Sequence, residues 1–151
     1  MIEVAERFEV AAPPATVWSL LADPYAVVGC VPGAAIVSHA EDGTLEATLT
    51  VKFGPLSVAF QARAVLELEL ATMTGRLSAR GKDKQGGARF QASATFSVQP
   101  AEAGSVVETR GEVELSGHLA SIIESGAGVV TKRMSADFAA CLRARCAALA
   151  Y

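Results

Sequence analysis

Along residues 45–115 apolar and polar side chains alternate almost one for one, and beyond residue 117 the spacing changes to that of a helix. Leu45, Ala47, Leu49, Val51 and Phe53 share one face of a predicted strand, opposite Glu46, Thr48, Thr50 and Lys52, and Gly54-Pro55 supplies the turn. Leu56, Val58, Phe60, Ala62, Ala64, Leu66, Leu68 and Leu70 mark a longer strand, followed after Thr74-Gly75 by one carrying Leu77 and Ala79. Gly81 to Gly87 reads as a polar hairpin loop, in which the lysines and glycines are better explained by a solvated turn than by an anion cradle. Ala88, Phe90, Ala92, Ala94, Phe96 and Val98 return on the same face, and Val107, Thr109, Gly111, Val113 and Leu115 complete it, backed by Glu108, Arg110, Glu112 and Glu114. With Glu3–Ala11 as the first strand and Ala34–Ser38 as a short second one, the pattern gives seven strands. Hairpin-length loops and one polar face make the sheet antiparallel and half-solvated.

Two helical passages interrupt the strands. Ala12-Pro13-Pro14 stops the first strand and opens a short amphipathic helix bearing Val17, Trp18, Leu20 and Leu21, which ends at Asp23-Pro24. Tyr25 to Cys30 adds a further helical turn before Val31-Pro32-Gly33-Ala34 breaks it. The closing segment, residues 119–150, has no proline and repeats apolar groups at Leu119, Ile123, Gly126, Val130, Met134, Phe138, Leu142 and Leu149. That is a helix of roughly 45 Å at 1.5 Å per residue, longer than a core of this size needs. The fold class is therefore α+β, a large antiparallel sheet around one long C-terminal helix.

The inward residues at the middle of the sheet are small: Ala47, Ala62, Ala64, Ala79, Ala92, Ala94 and Gly111. Either the helix presses closely onto them, or they leave an apolar cavity framed by Phe53, Phe60, Phe90, Phe96, Met134 and Phe138. Gly126 and Gly128 lie inside the helix at a cost of about 1 kcal/mol each, which close approach, a bend or room for a ligand would offset. The balance favours a cavity with the helix as its lid. Its expected contacts on the sheet are Phe53, Phe60, Ala62, Leu77, Phe90, Ala92, Phe96 and Thr109. On the helix they are Ile122, Ile123, Gly126, Val130, Met134 and Phe138.

Polar groups inside are few. Glu6 falls on the apolar face of the first strand and reads as a solvated strand end, with a polar group at a pocket mouth as the alternative. Trp18 reads as a packing anchor, and His39 and His118 as exposed, without an acid or nucleophile at a recognisable spacing. No catalytic set emerges. Such a pocket is equipped to bind rather than to move protons, and an enzyme on this chain would have to rest on Glu6 with Thr109.

Composition adjusts this picture modestly. The 151 residues suit one domain, 1–151, and 51% are hydrophobic with only 19% charged, below the roughly 25% of an average domain. No run reaches the ~20 residues of a membrane span, the N-terminus lacks a signal-peptide layout, and a net charge of −3 argues against nucleic acid. Cys141 and Cys146, five apart on a helix, point about 140° apart and cannot bridge each other. The three cysteines read as reduced cytosolic thiols, and without a CxxC or His/Cys cluster no zinc site is expected. Lys132, Arg133, Arg143 and Arg145 outnumber Glu124 and Asp137 in the last segment, which leaves a transient membrane-surface contact open.

The order of elements is that of the helix-grip (START-like, SRPBCC) architecture. Phe8-Glu9-Val10-Ala11-Ala12-Pro13, Val17-Trp18, Leu21, Asp23-Pro24 and Cys30-Val31-Pro32-Gly33-Ala34 resemble the N-terminal signature of the carbon monoxide dehydrogenase G-subunit family. Val51-Lys52-Phe53-Gly54-Pro55, Phe60, Gly75-Arg76-Leu77, Gly81-Lys82-Asp83 and Gly117-His118-Leu119-Ala120 continue the likeness along nearly the whole chain. His118 stands where relatives often carry arginine. The resemblance implies a non-catalytic, cytoplasmic accessory protein, peripheral at the inner face of the membrane. Its implied ligand is a menaquinone-like quinone and its implied partner a molybdenum hydroxylase of the CO dehydrogenase type. A cyclase or hydratase on the same fold, and a scaffold with no ligand, are the competing expectations.

Overall fold

The computed structural model describes residues 2–149. Strand β1 (Ile2–Val10) leads into helices α1 (Pro14–Leu21) and α2 (Pro24–Gly29). Six strands follow: β2 (Ala34–His39), β3 (Thr44–Phe53), β4 (Leu56–Glu69), β5 (Thr74–Asp83), β6 (Arg89–Ala101) and β7 (Gly104–Ser116). Helix α3 (Ala120–Leu149) closes the chain. The sequence-predicted end of that helix at Ala150 lies outside the described residues.

All seven strands form one antiparallel sheet in the order β1-β7-β6-β5-β4-β3-β2. Successive strands from β2 to β7 pair as hairpins, and β1 returns beside β7 across the two short helices. The register preserves the alternation read from the sequence. One inner-face row runs Val113, Ala92, Ala79, Ala64, Leu45, and the next runs Gly111, Ala94, Leu77, Leu66.

Local chemistry sets the corners. Pro14 opens α1, where the missing N–H costs nothing, and Asp23 caps α2 by accepting from the Tyr25 backbone N–H at 3.0 Å, with Pro24 at the first helical position. The buried Ser105 hydroxyl donates to the Ala12 carbonyl at 2.6 Å and ties the β1–α1 corner to β7. Gly117 turns the chain into α3 with φ +99°, in the left-handed region that favours glycine, where a Cβ would also meet the Gly87 carbonyl. The Leu119 N–H then donates to that same carbonyl at 2.9 Å, docking the start of α3 on the β5–β6 turn.

Four expectations need correction. Strand β5 continues through Asp83, so the expected Gly81 to Gly87 loop shrinks to a turn over residues 84–87; Gly81 faces Phe90 across the sheet, and Asp83 turns inward, 8% exposed. Its carboxylate accepts from the Gly87 N–H at 3.3 Å, so the buried charge has a donor and shapes the turn that receives α3. The alternation of β4 also outruns its cover, and Leu68 and Leu70 are exposed. Cys30 and Cys141 are not free thiols: they form a disulfide, Cα–Cα 5.4 Å, joining the end of α2 to α3 across a sequence separation of 111. Only Cys146 remains free among the described residues, and it is buried. Finally, α3 is a continuous helix of 30 residues, and its glycines are not sites of tight contact. A Cβ at Gly126 would sit 3.8 Å from Phe53, an ordinary contact, and one at Gly128 would meet nothing within 4 Å.

Two clusters hold the molecule together. At one end Val10, Val17, Trp18, Leu21, Val98, Val107, Leu142 and Cys146 pack together, with Trp18 6.0 Å from the Phe96 ring. Trp18 is the packing anchor the sequence suggested. At the other end Val58, Phe60, Ala88 and Ile123 pack with Phe53, Phe90 and Leu119 around them.

Candidate ligand-binding site

From Ile123 in one cluster to Leu142 in the other, α3 spans roughly 28 Å. Along that span it packs chiefly against β1, β7 and β3, on the flanks of the sheet, and against α1. The central strands β4, β5 and β6 present their small inner residues beneath it. Ala47, Ala62, Ala64, Leu77, Ala79, Ala92, Ala94, Gly111 and Val113 are all left half-buried, whereas the corresponding positions in the end clusters are closed off. A helix bridging two filled ends over a floor of methyl groups leaves a cleft.

Aromatic rings frame the cleft through a device the sequence reading missed. Phe96 lies over Gly75 and Phe90 over Gly81, each across one β5–β6 rung, so that a Cβ at either glycine would collide with the ring. A side chain there would lift the ring off the sheet; glycine lets it lie flat. Phe90 in turn meets Phe60 edge-on at 5.0 Å. The visible signal was a glycine opposite a phenylalanine in adjacent strands, legible only once the register is known.

The mouth lies between β1, β7 and α3, as a pocket of about 540 Å³ lined by Phe8, Val31, Met134, Phe138 and Ala139, with Glu6, Thr109, Lys132, Ser135 and Arg143 among its polar groups. Glu6 and Thr109 are direct cross-strand partners on the inner face, so Glu6 belongs to the mouth rather than to a solvated strand end. Arg143 is held in place: its Nε donates to the Glu9 carbonyl at 2.9 Å, and its guanidinium sits 5.6 Å from the centre of the Phe8 ring. The disulfide is adjacent, since Val31 follows Cys30 and Ala139 and Arg143 flank Cys141 along α3.

Of the sequence-predicted contacts, Ala62, Leu77, Ala92, Phe90, Phe96 and Thr109 face the cleft or its mouth, and Met134 and Phe138 wall the mouth from α3. Phe60 and Ile123 are committed to the end cluster, which Phe53 borders, and Gly126 rests on Phe53. Val130 is half-buried on the helix. Ile122 is misplaced: it is 52% exposed, because a helix turns 100° per residue and its neighbour Ile123 takes the inward position. His39 and His118 are exposed, the former stacked edge-on against Tyr25 at 5.9 Å.

The outer face carries a groove of about 820 Å³ that differs from the mouth pocket in its lining, which is dominated by charged side chains such as Arg63, Arg80, Lys82, Arg89 and Glu114, with Arg63 paired to Glu46 at 3.0 Å. Among the described residues no cluster of three or more histidine, cysteine or acidic side chains could hold a metal ion, and no helix is long and apolar enough to cross a membrane.

A curled seven-stranded antiparallel sheet gripping a long C-terminal helix over an apolar cleft defines a helix-grip, START-like protein. Solved structures share that form at low identity. A conserved protein from Geobacillus kaustophilus matches with TM-score 0.83 and 20% identity over 97% of this chain and 95% of its own. A START superfamily protein from Mycobacterium smegmatis matches at 0.59 and 21%, over 97% and 98%. The Zhui aromatase/cyclase from a Streptomyces species matches at 0.61 and 17%, over 96% and 93%. No curated protein matches the sequence significantly. The chain belongs to the carbon monoxide dehydrogenase CoxG family, whose model matches residues 7–147.

Proposed function

We propose that this protein is a non-catalytic accessory protein that carries an apolar, menaquinone-like ligand in the cleft under α3. In this reading it serves a molybdenum hydroxylase of the CO dehydrogenase type, by delivering quinone or by bringing the enzyme to the inner face of the membrane. The observation that carries the reading is the half-exposed floor of alanines beneath a helix that packs on the flanks of the sheet. A floor of this kind is unfavourable when empty, and an elongated apolar ligand removes it from water at roughly 25 cal/mol per Å². The family membership supports the partner. The proposed ligand contacts are Ala62, Leu77, Phe90, Ala92, Phe96 and Thr109 from the sheet, with Val130, Met134 and Phe138 from the lid. Phe53, Phe60, Ile123 and Gly126 form the closed end. Work in the cytoplasm would hold the Cys30–Cys141 bridge in a reducing compartment, where disulfides are usually transient.

Native mass spectrometry of gently purified protein should find a bound lipid-soluble molecule, and short-chain menaquinone analogues should raise the melting temperature. Protein that is empty and unmoved by the analogues would sink the proposal. A catalytic reading, of the kind suggested by the aromatase/cyclase neighbour, is favoured by one observation: Glu6 stands beside Thr109 at the cleft mouth. It predicts cyclase- or hydratase-type turnover of a small molecule that Glu6→Gln abolishes. A pure scaffold would bind the molybdenum enzyme equally well with Ala92 and Ala94 enlarged.

A further inference from the structure

We infer that the cleft mouth selects a ligand whose polar end is a neutral hydroxyl, phenol or hydroquinone, over the corresponding quinone or ether. The inference rests on the carrier reading and refines its menaquinone-like ligand: of the two redox forms the reduced, hydroxyl-bearing one is held more tightly, and the quinone binds more weakly in the same cleft.

Two charged residues lie on the inner face of the sheet among the described residues, Glu6 and Asp83. Asp83 is answered by the Gly87 N–H. Among the described residues the side chain of Glu6 makes no hydrogen bond or ion pair, and neither does that of Thr109, its direct partner across the β1–β7 rung. Both line the mouth, where the sheet floor meets the helix. An ionised carboxylate only accepts, and a threonine hydroxyl donates as well as accepts. Side by side they complement a group that does both, giving its proton to Glu6 while its lone pair takes the proton of Thr109. A hydroxyl is such a group. A quinone carbonyl or an ether oxygen satisfies Thr109 alone and brings its lone pairs against the carboxylate.

The surrounding charges narrow the class. An amine would also donate to Glu6, but it would carry a positive charge into a rim holding Lys132 and Arg143. The Glu9 carbonyl and the Phe8 ring both favour keeping the Arg143 guanidinium at this rim, where it opposes an incoming cation. An anionic head would suit the rim cations yet meet Glu6 at the floor. The neutral hydroxyl is the group that offends neither, and Phe8, Met134 and Phe138 provide apolar walls for the ring bearing it.

The test compares two matched pairs of probes on the full chain. One pair is 2-prenyl-1-naphthol and its methyl ether, both stable in air; the other is a short-chain menaquinol and its menaquinone, handled anaerobically. A hydrogen bond to a charged acceptor predicts that the hydroxyl form binds roughly ten- to a hundred-fold more tightly, read by calorimetry. Glu6→Gln, close in shape and able to donate through its amide, should cut that preference to about threefold or less while leaving ether and quinone binding unchanged or tighter. Thr109→Val should weaken both members of each pair. Equal binding of all four probes to the wild-type protein, or a preference that survives Glu6→Gln, overturns this inference and leaves the carrier reading standing. If none of the four binds, both fall.

Discussion

At the scale of single residues, the glycines divide by what surrounds them. Gly75 and Gly81 lie under phenyl rings, and Gly117 needs a positive φ, so a side chain at any of the three costs packing or backbone strain. Gly126 and Gly128 have neither reason. Gly126→Ala and Gly128→Ala should each stabilise the protein by about 0.5–1 kcal/mol in urea denaturation, the ordinary gain from replacing glycine in a helix. Gly81→Ala should destabilise it by displacing the Phe90 ring, with the loss visible in the same experiment. Sequence reading could see that glycines stood in the helix and at strand ends. It could not rank them, because the atoms that decide the matter come from strands far along the chain. Glu6 was ambiguous for the same reason: its position on the apolar face was legible, but its environment depends on Thr109 and α3, which long-range pairing brings to it.

Among the elements, the strands were the most legible, since a period of two fixes which face each residue takes and the register follows from short hairpins. The ends were less so. Asp83 reads as a turn residue until the strand is seen to carry it inward, where the Gly87 N–H makes burial tolerable. The link between α2 and α3 was invisible, because spacing along one helix excludes a bridge between Cys141 and Cys146 but says nothing of Cys30. That bridge closes a loop long enough that the chain-entropy argument gives it a stabilisation of about 4–5 kcal/mol. Cys141→Ser, or reduction with a thiol reductant, should therefore lower unfolding stability by several kcal/mol while the circular dichroism of the folded state is retained. Cys146 supplies an internal control. Burial pushes its thiol above the ordinary value of 9.0, so it should resist alkylation in the reduced but folded protein. The sign of the linkage is clear: the unfolded thiol ionises first, so stability from this group is intact below pH 9 and is lost as pH rises toward the folded value.

For the whole molecule, the question is why a chain rich in apolar residues leaves its sheet centre uncovered. Natural cores reach crystal-like density, and substituting larger groups at a void normally gains stability. The two end clusters obey that rule; the alanine floor between them does not. If the space exists for a ligand, stability and binding should trade against each other at Ala92 and Ala94, which sit side by side along β6 on the inner face opposite Ala79 and Leu77. Ala92→Leu and Ala94→Leu should leave the melting temperature unchanged or raised, since each adds buried apolar surface in open space rather than in a filled core. In the wild-type protein a ligand at a hundred times its dissociation constant should add about 2.7 kcal/mol of apparent stability, and in the substituted proteins that increment should shrink toward zero. Thermal unfolding with and without a short-chain menaquinone analogue measures both quantities on the same samples. A marked fall in melting temperature without ligand would mean that the floor is already packed in solution, and that the cleft is no pocket.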